Sequence, residues 1–141
     1  FTLDEYQIYE ARCIGADAVL LICSLLSAAQ LGEYLAQVQE LGLSALVEAH
    51  TAGEVQMALV AGAEIIGVNN RNLKDFSVNP VNSLRLRDAI PASKIFVAES
   101  GIKCAADTQA LKQAGVQAVL VGEALMRSAD AAAMLKEMRD A

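Results

Sequence analysis

Apolar residues in this chain are grouped into five short runs, and the segments between the runs have the residue spacing of helices. Within each run successive residues are apolar, which is typical of strands in a parallel sheet that helices cover. The runs predict strands at about 17–22, 44–48, 64–69, 94–99 and 117–122.

Capping patterns predict where the helices begin. Candidate capping boxes precede helical stretches at Thr2–Glu5, Ser27–Gln30 and Thr51–Glu54. Asn79-Pro80 predicts a further helix with Pro80 in its first position. Proline is tolerated there because a backbone N–H at that position would have no partner within the helix. The remaining helices are predicted at Lys103–Ala114, at Glu123–Arg127 and from Ser128, as a cap, to Arg139.

A glycine closes four of the predicted helices just before the next strand, at Gly15, Gly42, Gly62 and Gly115. The order is therefore one helix followed by five strand–helix units, which predicts a parallel sheet with right-handed crossovers. Residues 1–141 are expected to form a single α/β domain. Because a whole (β/α)8 TIM barrel has about 250 residues, we expect this domain to be the later part of one.

Composition and charge exclude several function classes. A net charge of −6, an aromatic content of 4% and the lack of a basic cluster disfavour nucleic-acid binding. No apolar run reaches the ~18 residues of a membrane span, so no membrane partner is expected. Cys13, Cys23 and Cys104 lack metal-like spacing, and we expect free, reduced, buried thiols, as is typical of a cytoplasmic protein.

Polar residues stand at the carboxyl ends of three predicted strands, at Glu48, Asn69 and Glu99. Side chains alternate along a strand, so the register that turns Leu46 and Val97 inward turns these residues inward too. Active sites of TIM barrels lie at this end of the strands. We predict a catalytic mouth here. The alternative is that each residue caps a neighbouring helix or pairs with a structural lysine.

Two glycine turns follow consecutive strands, Ser100-Gly101 after the fourth and Gly122-Glu123 after the fifth. Backbone N–H groups in such turns bind anions, and the placement matches the phosphate site after the last two strands of many barrels. The alternative is that the glycines only permit tight turns. Arg71, in the loop that follows the third strand, is either a bidentate clamp for a carboxylate or phosphate or a solvated loop residue.

With these motifs the chain resembles the indole-3-glycerol-phosphate synthase family, which are (β/α)8-barrel lyases of tryptophan biosynthesis. The resemblance is carried by segments in order along the chain, at Tyr6–Arg12, Gly15–Ile22, Leu46–Glu48, Gly67–Leu73, Val97–Ile102 and Leu120–Met126. It implies that the chain supplies the fourth to eighth strands and the third to eighth helices of the barrel. It also implies a phosphorylated small-molecule substrate, 1-(2-carboxyphenylamino)-1-deoxyribulose 5-phosphate, and no metal or organic cofactor.

The resemblance implies a role for each candidate residue. Glu48 falls on the catalytic glutamate, Asn69 on a residue that holds a substrate hydroxyl, and Glu99 on a residue that orders the site. The implied substrate contacts are Arg71, Ser100, the backbone at Gly101 and Gly122, and Leu120 on the apolar wall near the indole ring. Glu123 stands where relatives carry serine, and its ionised side chain cannot donate to phosphate, so only its backbone N–H is expected to serve.

In the family a catalytic Lys-Asp-Phe motif closes the third strand, and Phe1 matches that phenylalanine. The resemblance therefore places the general-acid lysine before Phe1 and makes this chain the C-terminal portion of an enzyme. We expect the chain alone to lack lyase activity, and its open sheet edges to require the N-terminal part of the barrel as a partner. Two other interpretations are a sugar-phosphate isomerase or similar phosphate-binding barrel enzyme, and a non-catalytic fragment that acts as a structural partner.

Overall fold

Five parallel strands form one sheet in the computed structural model, which describes every residue from Phe1 to Ala141. The strands are β1 (Ala18–Ile22), β2 (Ser44–Ala49), β3 (Ile65–Asn69), β4 (Ile95–Glu99) and β5 (Ala118–Leu120). The helices are α1 (Glu5–Cys13), α2 (Ala28–Glu40), α3 (Ala52–Val60), α4 (Asn82–Leu86), α5 (Ala105–Gln113), α6 (Glu123–Arg127) and α7 (Ala131–Asp140). Every predicted strand is therefore confirmed, and only β5 ends clearly earlier than predicted.

The strand order β1-β2-β3-β4-β5 follows the chain, so each strand pairs with the next one. This is the order of a barrel, whereas doubly wound sheets reverse direction partway across. The register aligns Glu48 with Gly67, Asn69 with Glu99, and Glu99 with Leu120. The carboxyl ends of β2, β3, β4 and β5 consequently lie side by side at one edge of the sheet.

Alternate residues of the strands face the helices and form the main core. Val47, Ile66, Val68 and Phe96 are fully buried there, and each such side chain stabilises the fold by about 1.5–3 kcal/mol. The other face carries the polar residues of the strand ends and is partly open, with Leu120 of β5 55% exposed. None of the helices combines the length and apolar character that crossing a bilayer requires.

Two of the three predicted capping boxes are confirmed, and the first is wrong. The side chains of Ser27 and Thr51 accept from the N3 backbone N–H of α2 and α3. In return the backbone N–H groups of Ser27 and Thr51 donate to the side chains of Gln30 and Glu54. At the start of the chain Asp4 takes the role predicted for Thr2, because its Oδ1 accepts from the Tyr6 N–H at 2.8 Å and the N3 side chain closes the box. Asp and Thr both cap well, so tertiary placement decided between them.

Two other predicted helix starts are wrong. α4 begins at Asn82 rather than at Pro80, since Asn79 Oδ1 accepts from the Val81 N–H at 3.3 Å and extends the turn. Asp130 caps α7 by accepting from the Ala133 N–H at 2.9 Å, whereas Ser128 bonds only to the backbone of Asp130. In both places the chain makes a local side-chain turn before the helix starts.

The predicted glycine caps are confirmed, since Gly15, Gly42, Gly62 and Gly115 all have positive φ. All three cysteines are free, as predicted, but only Cys23 is buried. Cys13 ends α1 and Cys104 precedes α5, and both of these thiols are exposed. The prediction of burial is wrong for them because helix ends at the surface expose even apolar side chains.

Candidate functional site

The strand-end residues Glu48, Asn69 and Glu99 are brought together in one buried cluster. They are 6%, 7% and 3% exposed. Asn69 Nδ2 donates to Glu48 Oε1 at 3.0 Å, and Glu99 lies next to Glu48 closely enough to interact with its carboxylate. Glu99 Oε1 has no hydrogen-bond partner in the chain. Two carboxyl groups with a single amide donor therefore share one poorly solvated space.

Burial and the neighbouring carboxylate alter the proton affinity of Glu99. Burial contributes most, followed by the charge of Glu48 and a hydrogen bond with it, and together they raise the pKa of Glu99 to about 8. At neutral pH Glu99 is consequently protonated in most molecules. A protonated Glu99 therefore lies directly beside the side chain of Glu48.

Gly67 in the neighbouring strand β3 provides the space that Glu99 occupies. A Cβ at this position would collide with Glu99 Oε1 and would lie 3.1 Å from Leu46 Cδ1. The φ of Gly67 is not positive, so the backbone conformation does not require glycine here. Glycine is required instead because the Glu99 side chain occupies the space of a Cβ.

Replacing Gly67 with alanine is expected to displace Glu99 and to lower the free energy of unfolding by about 1–3 kcal/mol through overpacking. Urea denaturation measures the change. Gly32→Ala on α2 is the control, because nothing lies within 4 Å of the added Cβ. A Gly67→Ala chain as stable as its parent would contradict the close contact.

His50 supports the cluster from behind and is not part of it. Its Nδ1 lies 2.8 Å from the Asn69 carbonyl oxygen. The backbone N–H of His50 donates to Glu54 Oε2 at 2.6 Å, and Asn82 Nδ2 donates to the carbonyls of both His50 and Asn69. These bonds tie the ends of β2 and β3 to α3 and α4.

A cavity of about 740 Å³ opens beside the cluster at the same edge of the sheet. Its lining includes the candidate binding residues Arg71, Ser100, Gly101, Leu120, Gly122 and Glu123. It also includes two cationic residues that the sequence did not single out, Lys103 and Arg127. The cavity is connected to the carboxyl cluster through Asn69, whose Oδ1 accepts from the Arg71 N–H at 2.9 Å.

Backbone donors line this cavity without acceptors inside the chain. The N–H groups of Gly101, Gly122 and Glu123 donate to no protein atom. Ser100 and Gly101 have φ values of +63° and +73°, so two consecutive residues are left-handed. Successive N–H groups in such a turn form a concave site for an anion.

Arg71 is held in two directions by polar contacts. Its Nη2 lies 3.2 Å from Glu123 Oε2, and its Nη1 donates to the Phe76 carbonyl at 3.3 Å. The other oxygen of Glu123, Oε1, lies 3.2 Å from Arg127 Nε. The Glu123 carboxylate therefore joins two arginines that line the cavity, a side-chain role that the sequence did not indicate.

Asn70 is the main site residue that the sequence interpretation missed. It is 1% exposed, and its side chain joins the end of β3 to Ser100 and to Ser83 of α4. The sequence signal that could have revealed Asn70 is the Asn69-Asn70 pair. Adjacent side chains in a strand point to opposite faces of the sheet, so if Asn69 faces the site, Asn70 faces the other side. No group of three His, Cys, Asp or Glu side chains is placed to hold a metal ion.

Comparison with solved structures identifies the fold. The chain superposes on a 3-hexulose-6-phosphate synthase with a TM-score of 0.79 at 22% identity, over 99% of this chain and 69% of that one. The enzyme of the same name from Salmonella typhimurium gives 0.83 at 17% identity, over 98% and 68%. With its sequential parallel sheet, the chain is thus part of a (β/α)8 barrel.

Comparison with known sequences identifies close relatives. The chain is 56% identical over 139 residues to the indole-3-glycerol phosphate synthase of Ruminiclostridium cellulolyticum, covering 99% of this chain and 54% of the relative. It is 56% identical over 140 residues to that of Endomicrobium trichonymphae, with the same coverage. A third relative, indole-3-glycerol phosphate synthase 2 of Streptomyces coelicolor, is 51% identical over 136 residues, covering 96% of this chain and 53% of the relative.

The chain spans about half the length of the curated relatives it matches. The sequence model of the family, described as indole-3-glycerol phosphate synthase, matches residues 1–138. The fold and these matches agree, and the chain belongs to the indole-3-glycerol phosphate synthase family.

Proposed function

We propose that this chain forms the phosphate-binding and proton-transferring part of an indole-3-glycerol phosphate synthase active site. The observation that carries the proposal is the buried Glu48–Asn69–Glu99 cluster beside a cavity lined with free backbone donors. The reaction closes the indole ring of 1-(2-carboxyphenylamino)-1-deoxyribulose 5-phosphate, with loss of CO2 and water.

The phosphate of the substrate is proposed to bind at the two glycine turns. The N–H groups of Gly101, Gly122 and Glu123 are the donors, together with Ser100 at the rim. Binding energy gained at this non-reacting end positions the aromatic end near the carboxyl cluster. Leu120, exposed on the inner face beside Glu99, offers an apolar wall to the aromatic ring.

Proton transfer is assigned to the carboxyl cluster. Glu48 acts as general base in the dehydration, and its Oε1 is oriented by the Asn69 amide. Glu99, whose pKa is raised in this chain by burial and by Glu48, is the neighbouring carboxyl group that orders the site. We also assign to Asn69 the role of holding a substrate hydroxyl. We assign the general acid that protonates the substrate carbonyl to a lysine in the N-terminal part of the barrel, the proposed partner of this chain.

Arg71 is the proposed clamp for an anionic group of the substrate, and Glu123 competes with that group. In the structure the carboxylate of Glu123 already neutralises both Arg71 and Arg127. An incoming phosphate or carboxylate must therefore displace Glu123 from Arg71 before it can form a bidentate pair.

Glu123→Gln in the full-length protein is expected to lower KM for the phosphorylated substrate by about two- to fivefold, because an exposed ion pair contributes about 0.2–1 kcal/mol. Steady-state kinetics measure this change. Glu137→Gln, at an exposed position of α7, is the matched control. An unchanged or higher KM for Glu123→Gln would show that Glu123 does not compete with substrate.

Incubation of the full-length protein with the proposed substrate tests the function directly, with the indole chromophore as the readout. We expect indole formation with release of CO2. Isomerisation of a sugar phosphate without indole formation would instead support the isomerase interpretation. The chain alone is expected to give no product, because the proposal places the general acid in another part of the barrel.

A further inference from the structure

Asn70 holds the backbone turn that lines the cavity, and this role goes beyond the proposed assignment of the phosphate donors. Its backbone N–H donates to the Glu99 carbonyl at 2.8 Å, and its side-chain Nδ2 donates to the Ser100 carbonyl at 3.0 Å. One residue thus binds the carbonyls of two successive residues at the point where β4 ends and the turn begins.

The turn needs such support because its backbone is unusual. Ser100 is not a glycine, yet its φ is +63°, a region in which side chains other than glycine are strained. Gly101 follows with φ +73°, and a Cβ there would lie 2.7 Å from Val78 Cγ1. A strained conformation persists only where surrounding contacts determine it. The two bonds from Asn70 are such contacts.

The bond to Ser100 also sets the direction of a proposed phosphate donor. The peptide bond between Ser100 and Gly101 is trans, as are all others in the chain. In a trans peptide the C=O of one residue and the N–H of the next point in opposite directions. When Asn70 binds the Ser100 carbonyl, the Gly101 N–H is therefore turned the other way. That N–H has no acceptor in the chain, and Gly101 lines the cavity.

Asn70 is itself fixed by buried partners. Its Oδ1 accepts from both the N–H and the Oγ of Ser83, at 2.9 and 2.8 Å. Ser83 is fully buried on α4, and the Asn70 carbonyl accepts from the Asn79 N–H at 2.8 Å. The amide of Asn70 therefore cannot rotate without breaking bonds to a helix, which makes it a rigid support.

From these contacts we propose that Asn70 is a positioning residue, which holds the Ser100–Gly101 turn so that the Gly101 N–H is directed at the phosphate of the substrate. The inference rests on the proposed function of the turn as a phosphate site. Asn70 does not touch substrate and acts only through the backbone of Ser100 and Gly101.

The test is the affinity of the full-length protein for inorganic phosphate, measured by calorimetry, for wild type and Asn70→Ala. We expect the Kd for phosphate to rise about tenfold, the effect of losing one hydrogen bond that orients the donors. KM for the phosphorylated substrate should rise by a similar factor. Asn82→Ala is the matched control, because Asn82 is an equally buried amide that binds other carbonyls, and its phosphate Kd should not change.

A double-mutant cycle with Ser100→Gly separates positioning from general destabilisation. Glycine adopts the left-handed conformation without strain, so the loss caused by Asn70→Ala should be smaller in the Ser100→Gly background. Additive effects would overturn the inference. If Asn70→Ala does not fold, Ser83→Ala, which removes one of the two bonds to Asn70 Oδ1, should raise the phosphate Kd about two- to fivefold; an unchanged Kd would overturn it.

The outcomes distinguish this inference from the proposed function. Phosphate binding with equal affinity in wild type and Asn70→Ala would overturn the positioning role and leave the phosphate site intact. A wild-type protein that does not bind phosphate would overturn the proposed site, and the role of Asn70 with it.

Discussion

Replacing Glu48 with glutamine in the full-length protein is expected to lower kcat by about 10²–10⁴-fold, the usual contribution of a general base, which is the role proposed for Glu48. Glutamine keeps an oxygen in the place of Oε1, which accepts from Asn69 Nδ2. The geometry of the cluster is therefore retained, while the ability to take a proton is lost. KM should change little, because Glu48 does not line the cavity that holds the proposed phosphate site.

Steady-state kinetics with the indole chromophore as readout provide the measurement. Glu40→Gln, at the exposed end of α2, is the control and should retain full activity. A Glu48→Gln enzyme with nearly normal kcat would show that Glu48 is not the general base. A large rise in KM with normal kcat would instead assign Glu48 to substrate binding.

The free energy of unfolding of the chain is expected to fall as pH rises through the range in which Glu99 loses its proton. The folded state raises the pKa of Glu99 from 4.5 to about 8. Between these values the folded state binds more protons than the unfolded state, so stability falls with increasing pH. The stability contributed by protonated Glu99 is fully present below about pH 4.5 and is lost above about pH 8.

The full effect is on the order of a few kcal/mol, since each tenfold change in proton affinity corresponds to about 1.4 kcal/mol. Urea denaturation of the chain and of its Glu99→Gln variant, at about pH 5 and about pH 9, measures it. Glutamine has the shape and charge of the protonated acid. We expect similar stabilities at the lower pH and a more stable variant at the higher pH.

Glu33→Gln, at an exposed position of α2, is the control and should not alter the pH dependence. Parallel pH profiles for the chain and Glu99→Gln would show that Glu99 titrates normally. In the full-length protein the difference should be smaller, because the lysine that we assign to the remaining barrel would favour the ionised form of Glu99.

Local patterns were sufficient to predict most of the architecture. Runs of apolar residues located all five strands, and glycines with positive φ located four helix ends. Helix starts were less predictable, because Thr2 and Asp4, or Ser128 and Asp130, are equally suitable caps within two residues of each other. Local energies differ too little between such neighbours, so packing of the chain selects one.

The sequence by itself determined the five-stranded order and, through side-chain alternation, which residues share the carboxyl edge. Glu48, Asn69 and Glu99 follow from that periodicity alone. Only the tertiary structure decided what these groups do to one another. The high proton affinity of Glu99 depends on its burial and then on Glu48. The hydrogen bond to the Ser100 carbonyl comes from Asn70, and Arg71 forms an ion pair with Glu123, 52 positions away. Periodicity is a property of neighbouring residues, whereas proton affinity, hydrogen bonding and ion pairing depend on distances in space between residues that are far apart in the chain.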